Sequence, residues 1–257
     1  MIITITGQYG SGGEQIGRRL AEILNYRVLD SELVIRAREI YAATYGNTDK
    51  PIWWPSRHDT LFYHADDIPN LSVAYKQAEF ALQTDLIFSD MSYLEELGPE
   101  ADDIRKAMLD AQTKAILEYA ETRNCILFGK CSNFVLRDRP DAIHAFATAD
   151  LDVRITRIMN LYNVLSDDKR GGKKRSSLLY SILSKKMVNM DREAARDLIY
   201  TTDKRRATCH EFITGEKWGD PKKFDFLISG NNLDLEEETE RFLQYIREHG
   251  SSNINLY

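Results

Sequence analysis

Four glycines fall within seven residues, Gly7, Gly10, Gly12 and Gly13, and the chain around them reads ITITGQYGSGGEQIGRRLAEIL from residue 3 to residue 24. A short apolar, β-branched run leads into them. An amphipathic helical pattern with Ile16, Leu20, Ile23 and Leu24 on one face follows. Glycine admits positive φ and lets backbone N–H groups come close to an anion. A helix beginning directly after the glycines adds a partial positive charge at its N-terminus. Strand, glycines and helix together make a phosphate cradle built from backbone, with Gly7, Gly10, Ser11, Gly12, Gly13 and Glu14 as its residues. A tight strand–helix turn without a ligand would use the same glycines. The spacing Gly7-x4-Gly12 matches a Walker loop up to the point where a lysine and a hydroxyl residue should follow; here Gly13 and Glu14 stand instead. Glu14 has the wrong sign for an anion site, and Arg18 and Arg19 lie a turn further along. A backbone shaped around glycine at position 13 is expected to leave little room for a restored lysine. The dinucleotide fingerprint G-x-G-x-x-G fails, because from Gly10 its third glycine would fall on Gln15.

Five short apolar runs can place that cradle at the edge of a sheet: Ile2–Thr6, Tyr26–Leu29, Cys125–Phe128, Ile143–Thr148 and Phe224–Ile228. Each lies between helical patterns, as strands buried on both faces of a parallel sheet do. Residues 100–122 put Ile104, Ala107, Met108, Ala111, Ala115 and Tyr119 on one helical face. Residues 234–247 open on Asp234 and the acids Glu236, Glu237 and Glu238, and would bury Leu235, Phe242 and Ile246. The alternation predicts one parallel sheet with helices on both faces. Two stretches break it. Residues 45–99 hold PIWWP and a helical pattern, and read as an insertion between the second and third strands. Residues 163–190 contain DDKRGGKKR, which reads either as a solvated loop or as a basic lid.

Composition bounds the partners. A chain of 257 residues with 43% hydrophobic and 29% charged residues suits one large α/β domain or two small ones. The formal net charge of −6 argues against generic binding to nucleic acid or an anionic membrane. Cys125, Cys131 and Cys209 show no metal-ligand spacing, and an odd count disfavours a disulfide framework, so reduced thiols in a cytoplasmic protein are expected. Met1 leads straight into a strand and no long apolar stretch follows, so neither a signal peptide nor a membrane span is expected. The five histidines have no ligand spacing, and no metal site is assigned to side chains. Trp53 and Trp54 suit either base stacking or a loop anchor.

The ordered set TGQYGSGGEQIGRRLAEIL, LD closing the second strand, CILFGKCSNFVL, TTDKRRATCHEFITGEKWGD and FDFLISGNNLDLEEETERFL resembles the cytidylate kinase-like family, a branch of the P-loop nucleoside monophosphate kinases. The resemblance covers most of the chain outside residues 45–99. It implies a three-layer P-loop fold with a central five-stranded parallel sheet flanked by helices. The core would comprise 1–44, 100–162 and 191–249, with a helical acceptor-side insertion at 45–99 and a lid at 163–190. It implies transfer of the ATP γ-phosphoryl group, with Mg2+, to CMP or dCMP, so small-molecule nucleotides are the partners. Whether the chain forms a homo-oligomer stays open. So do two other readings: a nucleotide-sensing protein that kept the fold, and a small-molecule kinase with a non-nucleotide acceptor.

Members of this branch carry GSGG in place of GKG, so the missing lysine resembles a family trait. Gly129-Lys130 stands where the family shows Gly-Arg, and Glu14 where it often has a basic residue. Without the lysine, other cations must cover the moving phosphoryl group. Lys130, just after the third strand, and the pair Arg205–Arg206 in DKRR, similar to the arginine-bearing arm beside a lid in such kinases, are the catalytic candidates. DSELVIR reproduces the family's Asp and the Arg six residues later, so Asp30 and Arg36 are expected to face the acceptor, the acid on a ribose or amino group and the fork on the monophosphate. Arg154 and Arg157, three apart on the helix after the fourth strand, are also expected on phosphate.

Overall fold

Ile2, Ile3 and Ile5 alternate between two apolar clusters, which makes β1 (Ile2–Gly7) the spine of a sheet covered on both faces. A computed structural model describes residues 1–45, 100–167, 190–232 and 234–250. The expected insertion beyond residue 45 and most of the expected lid lie outside the described residues, as do Trp53, Trp54, His58 and His64. Strand β1 pairs in parallel with β3 (Cys125–Phe128) on one side and β4 (Ala142–Thr148) on the other. Beyond them lie β2 (Arg27–Leu29) and β5 (Phe226–Ser229), giving the order β2-β3-β1-β4-β5.

The helices are α1 (Gly13–Leu24), α2 (Ser31–Tyr45), α3 (Glu100–Thr122), α4 (Ser132–Val135), α5 (Leu151–Asp167), α6 (Arg192–Thr214) and α7 (Glu236–His249). One face of the sheet packs Ile16, Leu20 and Leu24 of α1 and Phe242, Leu243 and Ile246 of α7 against Ile3, Ile5 and Phe226. The rings of Phe226 and Phe242 stack with centroids 4.3 Å apart. On the other face, Ala111, Ala115 and Ala120 of α3 and Leu33, Ala37 and Ile40 of α2 close over Ile2, Leu29 and Leu127. The small side chains on α3 let the two helices lie close together. The result is the expected three-layer arrangement, with every strand pointing the same way.

Several boundaries differ from expectation by one residue, and three differ by more. Phe224 and Asp225 precede β5 because Pro221–Lys223 forms a 3-10 turn and the Asp225 carboxylate accepts the His144 amide at 2.8 Å before the ladder begins. Helix α7 starts at Glu236, whose amide donates to the Asp234 side chain at 3.1 Å. Residues 163–167, placed in the lid by the sequence, continue α5 as helical backbone. Because the strands are parallel, their carboxyl ends share one edge, where Gly7, Phe128 and Thr148 end their strands. In open α/β sheets that edge is where ligands bind.

Candidate active site

The glycine loop is held from outside and open from inside. Gly10 (φ 78°) and Gly12 (φ 90°) take the left-handed conformation that side-chain-bearing residues avoid, and Gly12 caps α1 without a side chain. Gln8 N donates to Ala147 O, Tyr9 N to Asp203 Oδ1 at 2.8 Å and Ser11 N to Gln8 O. The amides of Gly10, Gly12, Gly13, Glu14 and Gln15 meet no acceptor among the described residues. They line a cavity of about 230 Å3 at the carboxyl edge of the sheet. Five uncommitted N–H groups at a helix N-terminus are an anion site by construction.

The loop carbonyls, in contrast, are gripped by arginines. Arg206 Nη1 donates to Gly7 O at 2.8 Å, Arg154 Nε to Tyr9 O at 2.8 Å and Arg157 Nη1 to Gly10 O at 2.6 Å. Arg157 also donates to Gly230 O and Asn232 O, tying the loop to the chain after β5. Arg154 is buried and its other end pairs with Asp203. Both arginines thus have partners within the protein, and Arg157 also lines the cavity. Arg154 and Arg157, expected on substrate phosphate, hold the loop's own oxygens, and Arg154 does not line the cavity. The effect on the ligand is indirect: carbonyls drawn outward leave the amides facing in. Arg206 is likewise committed to Gly7 O and lies 5.4 Å from the Tyr9 ring centroid, although it also lines the cavity. Gly230 permits a close approach on the same side, since a Cβ there would stand 1.7 Å from Ser11 O.

Gly13 sits where a lysine would be. A Cβ on it would fall 2.5 Å from the Ala147 Cβ, so β4 fills the space that any side chain would need. Glu14 turns along α1, and its carboxylate accepts from Arg18 Nε at 3.0 Å. Loss of solvent pushes its pKa up to about 7; Arg18 opposes the shift and the Asp30 carboxylate adds to it.

The other end of the cavity is built by β2, β3 and α3. Asp30 and Lys130 are both buried and form an ion pair, Nζ to Oδ1, at 2.7 Å. Gly129, Lys130 and Cys131 are consecutive left-handed residues, with φ of 58°, 55° and 55°. Such a run is costly for the two that carry side chains, and strained backbone of this kind concentrates at ligand sites. It is held by the Ser132 hydroxyl on Gly129 O and by Gln112 Nε2 on Lys130 O, both at 2.8 Å. Arg36 is placed elsewhere. Its guanidinium bonds Glu118 and Glu39 on the surface, so of the two residues expected to face the acceptor only Asp30 lines the cavity, paired there with Lys130.

Helix α6 supplies the roof. Arg205 and Cys209, then Arg206, His210 and Ile213, recur at helical spacing and line the cavity. Arg205 is exposed and makes no ion pair or hydrogen bond among the described residues. Burial lowers the His210 pKa, and its Nδ1 lies 3.7 Å from Cys131 Sγ. Burial pushes the Cys209 thiol up to about 11 and holds Cys131 higher still, so neither is a thiolate at neutral pH. Gln112, Phe128, Cys131, Cys209, His210 and Trp218 are cavity residues to which the sequence reading gave no role. No group of three or more potential metal ligands occurs among the described residues, and no helix among them is long and apolar enough to cross a membrane.

A model of the cytidylate kinase-like family matches residues 2–173. No curated protein sequence matches the chain. Among solved structures, an uncharacterized protein from Eubacterium ventriosum is 21% identical, over 96% of this chain and 98% of that one, with a TM-score of 0.54. A shikimate kinase from Bacteroides thetaiotaomicron is 14% identical over 96% of each chain, with a TM-score of 0.43. The fold is a three-layer α/β arrangement around a five-stranded parallel sheet.

Proposed function

The chain belongs to the cytidylate kinase-like family, and from that premise we propose that it transfers the γ-phosphoryl group of ATP to a pyrimidine nucleoside monophosphate, CMP or dCMP. The observation that supports this most is the row of five uncommitted amides from Gly10 to Gln15, facing a cavity whose far end carries the buried Asp30–Lys130 pair. The amides bind the donor's phosphates and fix them against α1. Arg205 supplies the positive charge that the loop lacks, because it lines the cavity and is not committed to another group among the described residues. Arg206, Arg157 and Arg154 keep the amides pointed inward. Glu14 is the loop carboxylate that would help to hold a nucleotide-borne Mg2+, which when bound would neutralise phosphate charge. At the acceptor end, a donor group on the nucleotide that reaches Asp30 competes with Lys130 and releases the ammonium toward the acceptor phosphate.

Purified protein with ATP, Mg2+ and CMP, dCMP, UMP, AMP or dTMP, assayed for ADP release, tests the proposal. Release above background with CMP or dCMP is expected. No release with any monophosphate, from a protein that still binds ADP, would leave a nucleotide-binding protein without transferase activity.

A further inference from the structure

Gln112 lies on the buried face of α3 with its side chain 5% exposed. One contact fixes which way its amide points. Nε2 donates to Lys130 O at 2.8 Å, and a carbonyl can only accept, so Oε1 must face away from it. Gln112 lines the cavity, and Oε1 is a buried atom with no donor among the described residues. A buried acceptor left unmet is unfavourable, and in a cavity the natural way to meet it is a ligand. What surrounds it sets the ligand's chemistry. The Lys130 ammonium at this end of the cavity is paired with Asp30, and the lining residues Phe128 and Cys131 are uncharged. The group that fits Oε1 is therefore a neutral hydrogen-bond donor.

We propose that Gln112 is a specificity-determining residue whose Oε1 accepts a hydrogen bond from the exocyclic amino group of the acceptor's base, so that an amino-pyrimidine nucleotide is taken in preference to its keto counterpart. This rests on the kinase reading of the same cavity. The pinned amide gives the preference its sign. A keto oxygen would face Oε1 lone pair to lone pair and leave both unmet, whereas an amino group satisfies them. Because Nε2 is held by Lys130 O, the amide cannot turn over to serve the keto base without losing that bond.

The test is kcat/KM for CMP, dCMP and UMP in the wild type, Gln112→Met and Gln112→Glu. The wild type should favour CMP over UMP by about 10- to 100-fold, the range for leaving one buried polar group unpaired. Gln112→Met should raise the KM for CMP and bring CMP and UMP within about threefold of each other. Gln112→Glu keeps an acceptor and should keep the preference, even as both rates fall through the loosened Lys130 carbonyl. A residue that merely holds Lys130 would lower both nucleotides alike in Gln112→Met and leave the ratio intact; that result overturns the proposal. So does equal use of CMP and UMP by the wild type, or a preference that follows the 2′-hydroxyl when CMP is compared with dCMP. If Gln112→Met does not fold, the wild type still decides: a pyrimidinone ribonucleotide lacking the 4-amino group should lose the same factor, and its use at the CMP rate refutes the role. No turnover with any nucleotide removes the kinase reading and this inference together, whereas turnover without the base preference removes this inference alone.

Discussion

Placing any side chain at Gly13 should damage the fold before it alters the chemistry. The backbone there is not left-handed, so the obstacle is space alone. A Cβ would stand 2.5 Å from the Ala147 Cβ, whereas non-bonded carbons settle at about 3.5–4.0 Å. At least about 1 Å must be found by moving β4 or the loop, and overpacking of this kind typically costs about 1–3 kcal/mol. For a chain of this size each kcal/mol lowers Tm by about 2–4 °C. Gly13→Ala should therefore melt about 2–12 °C below the wild type. Gly13→Lys should melt at least as low and gain no turnover, because the strain is set by the first carbon. The relieving change is Ala147→Gly, which removes the opposing methyl and leaves Ile5 Cγ2 at 3.4 Å as the nearest side-chain contact. Thermal melts of Gly13→Ala, Ala147→Gly and the double variant form a cycle. The double variant should be more stable than the sum of the singles by about 1 kcal/mol or more. Simple additivity would refute the steric argument, as would a Gly13→Lys protein of native stability and raised turnover.

The arginines of α6 should separate by parameter: Arg205→Ala is expected to lower kcat about 100-fold with little change in the KM for ATP, since a contact to the moving group acts in the transition state. Arg206→Ala, which frees Gly7 O, should instead raise the KM for ATP and lower Tm, and the opposite assignment in steady-state kinetics would be wrong for this geometry. Glu14, with its pKa pushed up to about 7, is largely neutral at pH 6 and charged at pH 8. Titration calorimetry without Mg2+ should show ADP affinity falling over that interval relative to Glu14→Gln; matching profiles would count against the assignment. The same sign applies to stability: a carboxyl raised from 4.5 in the folded state contributes fully below pH 4.5 and loses that contribution as pH rises through 7. Arg36→Ala, on the surface with Glu118 and Glu39, should leave the acceptor KM within about twofold, and a large rise would restore Arg36 to the site.

The parts of this architecture that the sequence discloses are those with a local signal. β1, α1 and the glycine loop are readable because apolar, β-branched residues, left-handed glycines and a helical stripe each act over a few neighbouring residues. The partners of the arginines are not readable in this way. A guanidinium suits a carbonyl as well as a phosphate, so Arg154, Arg157 and Arg206 carry no mark that separates a loop clamp from a ligand contact. The spacing from Asp30 to Arg36 suggested a shared place at the acceptor, but α2 turns Arg36 to Glu118, 82 residues away, while the end of β2 brings Asp30 to Lys130, 100 residues away. Gln112 did leave a trace. It stands four residues after Met108 and three before Ala115, a polar residue inside the apolar stripe of α3. Such an interruption asks for a hydrogen-bonding reason, and the cavity provides one.

The central claim is that a loop without lysine still passes a phosphoryl group, with Arg205 providing the charge. The most direct measurement follows the terminal phosphoryl group itself, using ATP labelled at the γ position, Mg2+ and CMP, in the wild type and in Arg205→Ala. Label is expected to appear in CDP with the wild type and to appear about 100-fold more slowly with the variant. ADP formed without labelled CDP, or a variant that labels CDP at the wild-type rate, would contradict it.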